Sequence, residues 1–408
     1  MTTAPARRRR LVVRCVAASA VLVLAAGVAQ GPAAALSTAG VAPPSHPVAP
    51  AWPGPDTSLR AAARQVVTAG ATGVIVRVDD GHHVTRFAVG AERLAPWRPL
   101  SPDDEFRVGS NTKMFVSTVV LQLVAEGRLA LDDSVERWLA GAVPGGAGIT
   151  LRMLLNHTGG IFDYGQDEDL LAIVFAESER VARTFTPAEL VAYATAHPPT
   201  FAPGTGWAYS NTDYVLLGMV VERATGLTVG DQIDRRIVRP LHLRHTYLQT
   251  SEAFRGRYAH GYVTPADTGD GYIDLSGRND ATWAGAAGAL VSTVDELARF
   301  TTALQAGWLL PPALLAEMRT TVPASTDQVV EHASYGLGLM SFTTPCGTFW
   351  GHYGSIPGYK SRSFSDTAGR RSVEVFTPTE STDAVVAAAD ALTDQALCVA
   401  AGRPPGRS

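Results

Sequence analysis

The chain has 408 residues, 46% of them hydrophobic and 18% charged. That composition is globular, with length for one large domain or two moderate ones. A formal net charge of -4 argues against a nucleic-acid partner.

Residues 1–30 read as a signal peptide. Arg7 to Arg10 form a positive n-region, and Leu11 to Ala29 an apolar stretch broken by Arg14, Cys15 and Ser19. Small residues follow, with candidate cleavage points after Ala29 or Ala35. The apolar part is short for a stable membrane span, so a secreted, extracellular protein is expected. An uncleaved N-terminal anchor is the alternative. Cys15 leaves with the signal, and Cys346 and Cys398 remain. An even pair in an oxidising compartment is expected to form a disulfide, stapling the C-terminal helix to a strand. Two buried free thiols are the alternative.

Residues 31–55, rich in Pro and Ala, read as a disordered linker. A helix is expected from Asp56 or Thr57 through Ala69, ended by Gly70. Thr72 to Val78 and Val84 to Val89 are β-rich and flank the turn signal Asp79-Asp80-Gly81. The next helix, Ser110 to Glu126, stops at Gly127. Its apolar residues, Phe115 to Val124, wrap most of its circumference, which places it in the middle of the protein. From Asp132 to Thr282 the signals are helices and loops, clearest at Pro187–Ala196 and Tyr214–Ala224. Ser292 with Asp295 reads as a capping box opening a helix through Leu304. Short strands are expected at Tyr335–Ser341, Thr348–Trp350, Ser361–Ser365 and Ser372–Phe376, then a helix from Asp383 to Leu397. The fold class is therefore α/β (α+β): an antiparallel sheet flanked by N- and C-terminal helices, with a mostly helical insertion. The domain covers 56–400, its α/β part about 56–135 and 285–400 and its helical part about 136–284, with a tail at 401–408.

Chemistry is suggested first by Ser110-Asn111-Thr112-Lys113. Three residues apart on a helix, a hydroxyl and an amine share a face. That pairing can make a serine nucleophilic without histidine. A solvated lysine at a polar helix start is the plainer alternative for a lone S-x-x-K. Two further motifs sharpen the reading: Tyr209-Ser210-Asn211, after Pro203-Gly204-Thr205-Gly206, and Trp350-Gly351-His352-Tyr353-Gly354-Ser355.

In that order the three motifs resemble those of the penicillin-recognising serine hydrolases, the group of class C β-lactamases and secreted D-alanyl-D-alanine carboxypeptidases. The likeness extends to Leu154-Leu155-Asn156-His157-Thr158-Gly159-Gly160, Trp283-Ala284-Gly285 and Tyr335-Gly336-Leu337-Gly338-Leu339. It implies a β-lactamase/transpeptidase-like fold. Ser110 would be the nucleophile of an acyl-enzyme, with Lys113 relaying its proton. Tyr209 would be general base and later acid, its phenolate made accessible by the Lys113 charge. Asn211 would bond both Lys113 and the substrate's amide. The backbone N–H groups of Ser110 and Ser355 would form the oxyanion hole. His352, Tyr353 and Gly354 would line the substrate strand, and Trp283 the cleft. The late pair Cys346 and Cys398 also resembles that of the secreted carboxypeptidases.

His157-Thr158-Gly159 spells the usual third box but precedes the Tyr-Ser-Asn motif, so a structural loop is expected there. Two departures concern specificity: Tyr353 replaces the third-box threonine, and Met340 stands where the carboxypeptidases carry an arginine for the substrate carboxylate. Arg362 on the neighbouring strand is the candidate substitute.

The expected function is a secreted serine hydrolase, D-alanyl-D-alanine carboxypeptidase-like, acting on cell-wall-type D-amino-acid peptides. Alternatives are an esterase or β-lactamase on the same fold, or a non-catalytic penicillin-binding or sensor protein. The partner is thus a peptidoglycan-type peptide, a β-lactam or an ester. No cofactor is expected, and no metal: His82-His83 reads as a solvated pair in a hairpin turn, and His242 with His245 lacks a third ligand. Trp97, Trp138 and Trp207 are expected to pack.

Overall fold

In the computed structural model the described residues are 55–174, 183–263, 271–277, 280–324, 333–379 and 382–403. The expected signal peptide, nearly all of the linker and most of the tail lie outside them.

The first hairpin forms where the β-branched runs flank an Asx turn. Strands Gly73–Asp79 and Val84–Arg93 pair antiparallel. Between them, Asp80 Oδ1 accepts the N–H groups of His82 and His83 at 2.8 and 2.7 Å, while Gly81 takes φ +87°. Gly73–Asp79 then pairs on its other side with Ser372–Thr377, nearly 300 residues later. The main sheet has eight antiparallel strands in the order 98–99, 84–93, 73–79, 372–377, 359–366, 347–356, 340–344 and 333–335. Helices Pro55–Thr68 and Asp383–Ala400 share a core with one face of the sheet. Leu59, Ala63, Val66, Val385, Ala389 and Leu392 pack there with Val74, Val76, Val373 and Val375. Ile75 and Phe376 point the other way, into the larger core.

That larger core surrounds helix Thr112–Ala125, in which every residue from Thr112 to Leu121 is buried. Each of its fully buried aliphatic side chains contributes about 1.5–3 kcal/mol of transfer free energy. The helix is apolar all round because the sheet lies on one side and the helical part on the other. In the latter, Asn211–Thr225 packs into the same core and ends at Gly226 in the left-handed region. Pro187–Thr195 starts from a complete capping box of Thr186 and Glu189.

Four local expectations are corrected. Ser110 lies in a 3-10 turn, Gly109–Asn111, and the α-helix begins at Thr112. The cap of helix Val294–Gln305 is Thr293, which accepts from Glu296 N–H, because Ser292 ends a strand and its hydroxyl bonds Thr246. The Cys346–Cys398 disulfide joins the last helix to the turn between strands Met340–Thr344 and Gly347–Ile356, rather than to a strand. Trp97 is largely exposed rather than packed, whereas Trp138 and Trp207 pack against core clusters as expected. Among the described residues no helix is long and apolar enough to cross a membrane.

Candidate active site

Ser110 is presented by a turn pinned from below. Asn111 Nδ2 donates to Ser361 Oγ at 2.8 Å, and Ser361 Oγ donates to the Val108 carbonyl at 2.8 Å. Gly109 has φ +54°, and a Cβ on it would sit 2.7 Å from Ser355 N. Only glycine satisfies both conditions, so its absent side chain brings the Ser110 turn against the Ser355 backbone.

One turn on, Lys113 is fully buried. Its ammonium has three donors. They go to Ser110 Oγ at 3.1 Å, Asn211 Oδ1 at 2.8 Å and the Ala287 carbonyl at 2.9 Å. Burial lowers its pKa to about 7, against the opposing pull of Asp163. Tyr209 reaches the same point: its phenol hydrogen-bonds Ser110, and Lys113 Nζ lies 4.6 Å from its ring centroid. Burial holds that phenol well above its ordinary range. The resting group is therefore the neutral phenol, not the accessible phenolate expected from the sequence. Near neutrality the titrating member of the pair is the lysine.

Asn211 opens helix Asn211–Thr225, and Asp163 fixes its side chain. Asp163 Oδ2 accepts from Asn211 Nδ2 at 3.1 Å, and Oδ1 from Asn211 N at 3.0 Å. Sequence reasoning missed Asp163. The available signal was its place before Tyr164-Gly165, where Oδ1 also caps the turn through Gly165 N.

The third motif runs along strand Gly347–Ile356, and a Cβ on Gly354 would sit 2.0 Å from the Val108 carbonyl. Thus Tyr353-Gly354-Ser355 passes directly beside the Ser110 turn. His352 is buried, with Nε2 2.9 Å from Tyr335 Oη and Nδ1 against the Tyr353 carbonyl. Burial first, then the nearby Lys113, drop its pKa to about 3. His157 does shape a loop, with φ +63° and its carbonyl accepting from Ala208 N. It is also brought under the site: its ring is 4.4 Å from that of Tyr209 and bonds Asp213 and Tyr335.

Ser110 opens on a cleft of about 300 Å³ lined by Tyr209, Met340, Tyr353, Ser355 and Lys360 among others. Arg362 is in its wall, but Nε and Nη2 both donate to Asp390 Oδ1, at 3.0 and 2.6 Å. Lys360, cross-strand from Ser355, donates to Ser355 Oγ at 2.6 Å. Trp283 packs half-buried on the large core instead of lining this cleft. Larger cavities, about 550 and 580 Å³, lie in the helical part away from Ser110.

The sequence model of a family described as Beta-lactamase matches residues 59–397. The chain is 27% identical over 305 residues to Penicillin-binding protein 4* of Bacillus subtilis, covering 71% of this chain and 64% of that protein. It is 34% identical over 229 residues to Esterase EstB of Burkholderia gladioli, covering 53% and 57%. In each case the match spans less than two thirds of the curated relative. A solved structure, a D-stereospecific amidohydrolase from Streptomyces sp., matches with TM-score 0.74 and 38% identity, covering 82% of this chain and 98% of that one.

Proposed function

The chain belongs to the Beta-lactamase family and is a serine hydrolase; from that premise we propose that it cleaves amides of D-amino acids through an acyl-enzyme on Ser110. Likeness to the D-stereospecific amidohydrolase, over almost all of that chain, supports the substrate class. Ser110 Oγ attacks the amide carbonyl, and the Tyr209–Lys113 pair takes its proton. Lys113 is the member that holds it, since its amine is the group poised near neutrality. The Ser110 and Ser355 N–H groups receive the oxyanion. Tyr209 then hands a proton to the departing nitrogen, and water cleaves the ester by the same steps reversed. Esters of the same acyl group enter the same intermediate, so esterase activity is expected alongside.

The observation that carries the amidase reading over a carboxypeptidase is the state of Arg362. Its guanidinium is turned to Asp390, whereas a carboxypeptidase must grip a free carboxylate at this end of the cleft. The test compares D- and L-phenylalanine amides with a D-alanyl-D-alanine peptide. Turnover of the D-amide is expected to exceed both others, and Ser110→Ala is expected to show none. Preference for the L-amide or the peptide would overturn the substrate; wild-type rates in Ser110→Ala would overturn the mechanism.

One observation favours a second reading, the D-alanyl-D-alanine carboxypeptidase. Lys360 places a cation on Ser355 Oγ, where a terminal carboxylate could be held. If so, Lys360→Met lowers peptide turnover about 10- to 100-fold, the worth of a charge-assisted hydrogen bond, and spares the neutral amide. Equal effects on both substrates would remove this reading.

The protein is also proposed to act outside the cell, as the Arg7–Ala29 pattern and the disulfide suggest. Mass spectrometry of exported protein, showing a chain that begins after Ala29 or Ala35, is the check.

A further inference from the structure

Between the nucleophile helix and the substrate strand lies a row of buried polar groups that the acyl-transfer steps do not use: Asp213, His157, Tyr335 and His352, each at most 1% exposed. Their hydrogen-bond polarity can be worked out from the ends inward.

At one end, His352 Nδ1 faces the Tyr353 carbonyl. A carbonyl only accepts, so Nδ1 carries the proton. In a neutral ring Nε2 is then an acceptor, and its partner at 2.9 Å, Tyr335 Oη, must donate. With its one proton so placed, Tyr335 accepts from His157 Nε2 at 3.2 Å. His157 is likewise neutral, leaving Nδ1 as an acceptor. The other end agrees: the backbone N–H of Ser210 points at His157 Nδ1 at 3.3 Å, a long contact that shares the one Nδ1 lone pair with Asp213. Asp213 Oδ2 lies 2.9 Å from that same nitrogen. Two acceptors would repel at that distance, so Asp213 presents an O–H. Its other oxygen, Oδ1, is buried without a partner among the described residues, which a neutral carboxyl tolerates better than a carboxylate. The pKa directions agree: burial raises Asp213 and lowers both imidazoles. Lys113, Asp163, Tyr209 and Tyr214 are the other titratable groups acting on this row, and Tyr335 also hydrogen-bonds Tyr214.

We propose that Asp213, His157, Tyr335 and His352 form an uncharged, one-directional hydrogen-bond relay that locks the Tyr209-Ser210-Asn211 segment to the Tyr353-Gly354-Ser355 strand. The relay runs from the Ser210 N–H and the Asp213 O–H to the Tyr353 carbonyl. It thereby sets the spacing between the general acid Tyr209 and the oxyanion donor Ser355. The four are positioning residues, and they give the His-Thr-Gly at 157–159 a task in the site. The inference rests on the acyl-enzyme mechanism but on no particular substrate.

Nitrogen NMR of the labelled wild-type protein reads the relay directly. At pH 7, His157 is expected as the Nε2–H form and His352 as the Nδ1–H form, neither titrating between about pH 5 and 8. An Nδ1–H ring at His157, or an imidazolium at either position, overturns the proposal. Kinetics give the second arm. Asp213→Val removes the donor and is expected to lower kcat by about 10- to 100-fold, as a small misplacement does, with KM changed less. Asp213→Asn supplies an N–H in place of the O–H and is expected to restore the rate without moving the pH profile. A shifted acid limb in Asp213→Asn would mean a carboxylate paired with Lys113, and the relay would fail. The NMR result is independent of turnover, so failure of the D-amide assignment leaves it standing.

Discussion

At the Ser110 end of the cleft, Lys113, Asn211 and Asp163 are buried or nearly so and hold one another in place. At the other end, Tyr353 and Lys360 are partly exposed, Met340 offers no polar atom beyond a thioether, and Arg362 leans on an Asp390 that is 37% exposed. In the proposed mechanism the first end performs bond making, which tolerates errors well under 1 Å, so it is built from fixed donors. In the same proposal the second selects a substrate, and there single side chains can change while the chemistry persists.

The largest expected break in this contrast is Lys113→Met. Removing the proton acceptor should lower turnover of every substrate alike, by about 10²- to 10⁴-fold. Thermal stability should fall as well, because the buried Asn211 Oδ1 and Ala287 carbonyl lose their donor and Asp163 loses a nearby cation. A substrate-dependent loss would blur the two ends. The wild-type pH profile belongs to the same prediction. With the Lys113 pKa lowered to about 7, the amine is the working form, so kcat/KM should rise through pH 7 and fall tenfold per unit below it. Tyr209→Phe should cost less, about 10²-fold, and more on amides than on activated esters whose leaving groups need no proton. Asp390→Asn acts only at the other end. It should relax the hold on Arg362 and improve KM for a carboxylate-bearing peptide several-fold, with kcat for the amide unchanged. The smallest effect on rate is expected from the Cys346→Ser/Cys398→Ser pair. The bridge spans 52 positions, a loop-closure contribution of about 4 kcal/mol, so denaturant midpoints should drop while kcat/KM hardly moves.

Those two ends also differed in how readable they were. Ser110, Lys113, Tyr209 and Asn211 sit in short contiguous motifs, and the structure brings all four together. The central helix was legible from its unbroken apolar circumference, and the first hairpin from its Asx turn. What failed depended on partners far along the chain. The neutrality of Tyr209 comes from burial by elements hundreds of residues apart. Asp163 looked like any loop aspartate until Asn211 was placed beside it. His157 read as a loop residue because its partners, Asp213 and Tyr335, are 56 and 178 positions away. Trp283 was assigned to the cleft by likeness alone and packs on the core. Cap positions were misread by one residue where two hydroxyls, Ser292 and Thr293, stood side by side.

The pairing of strand Gly73–Asp79 with Ser372–Thr377 has a consequence for how the molecule comes into being. The centre of the sheet cannot close until its last strand has been made, so the chain must join segments nearly 300 residues apart before its core is sealed. Such non-local closure is slow. A nascent chain stalled before residue 347 already holds Ser110, Lys113 and Tyr209, yet has no Ser355 N–H to receive an oxyanion. Nucleophile and activity are thus separated in time, and arrested chains of increasing length should gain esterase activity in one step, only after the final strand and helix are complete.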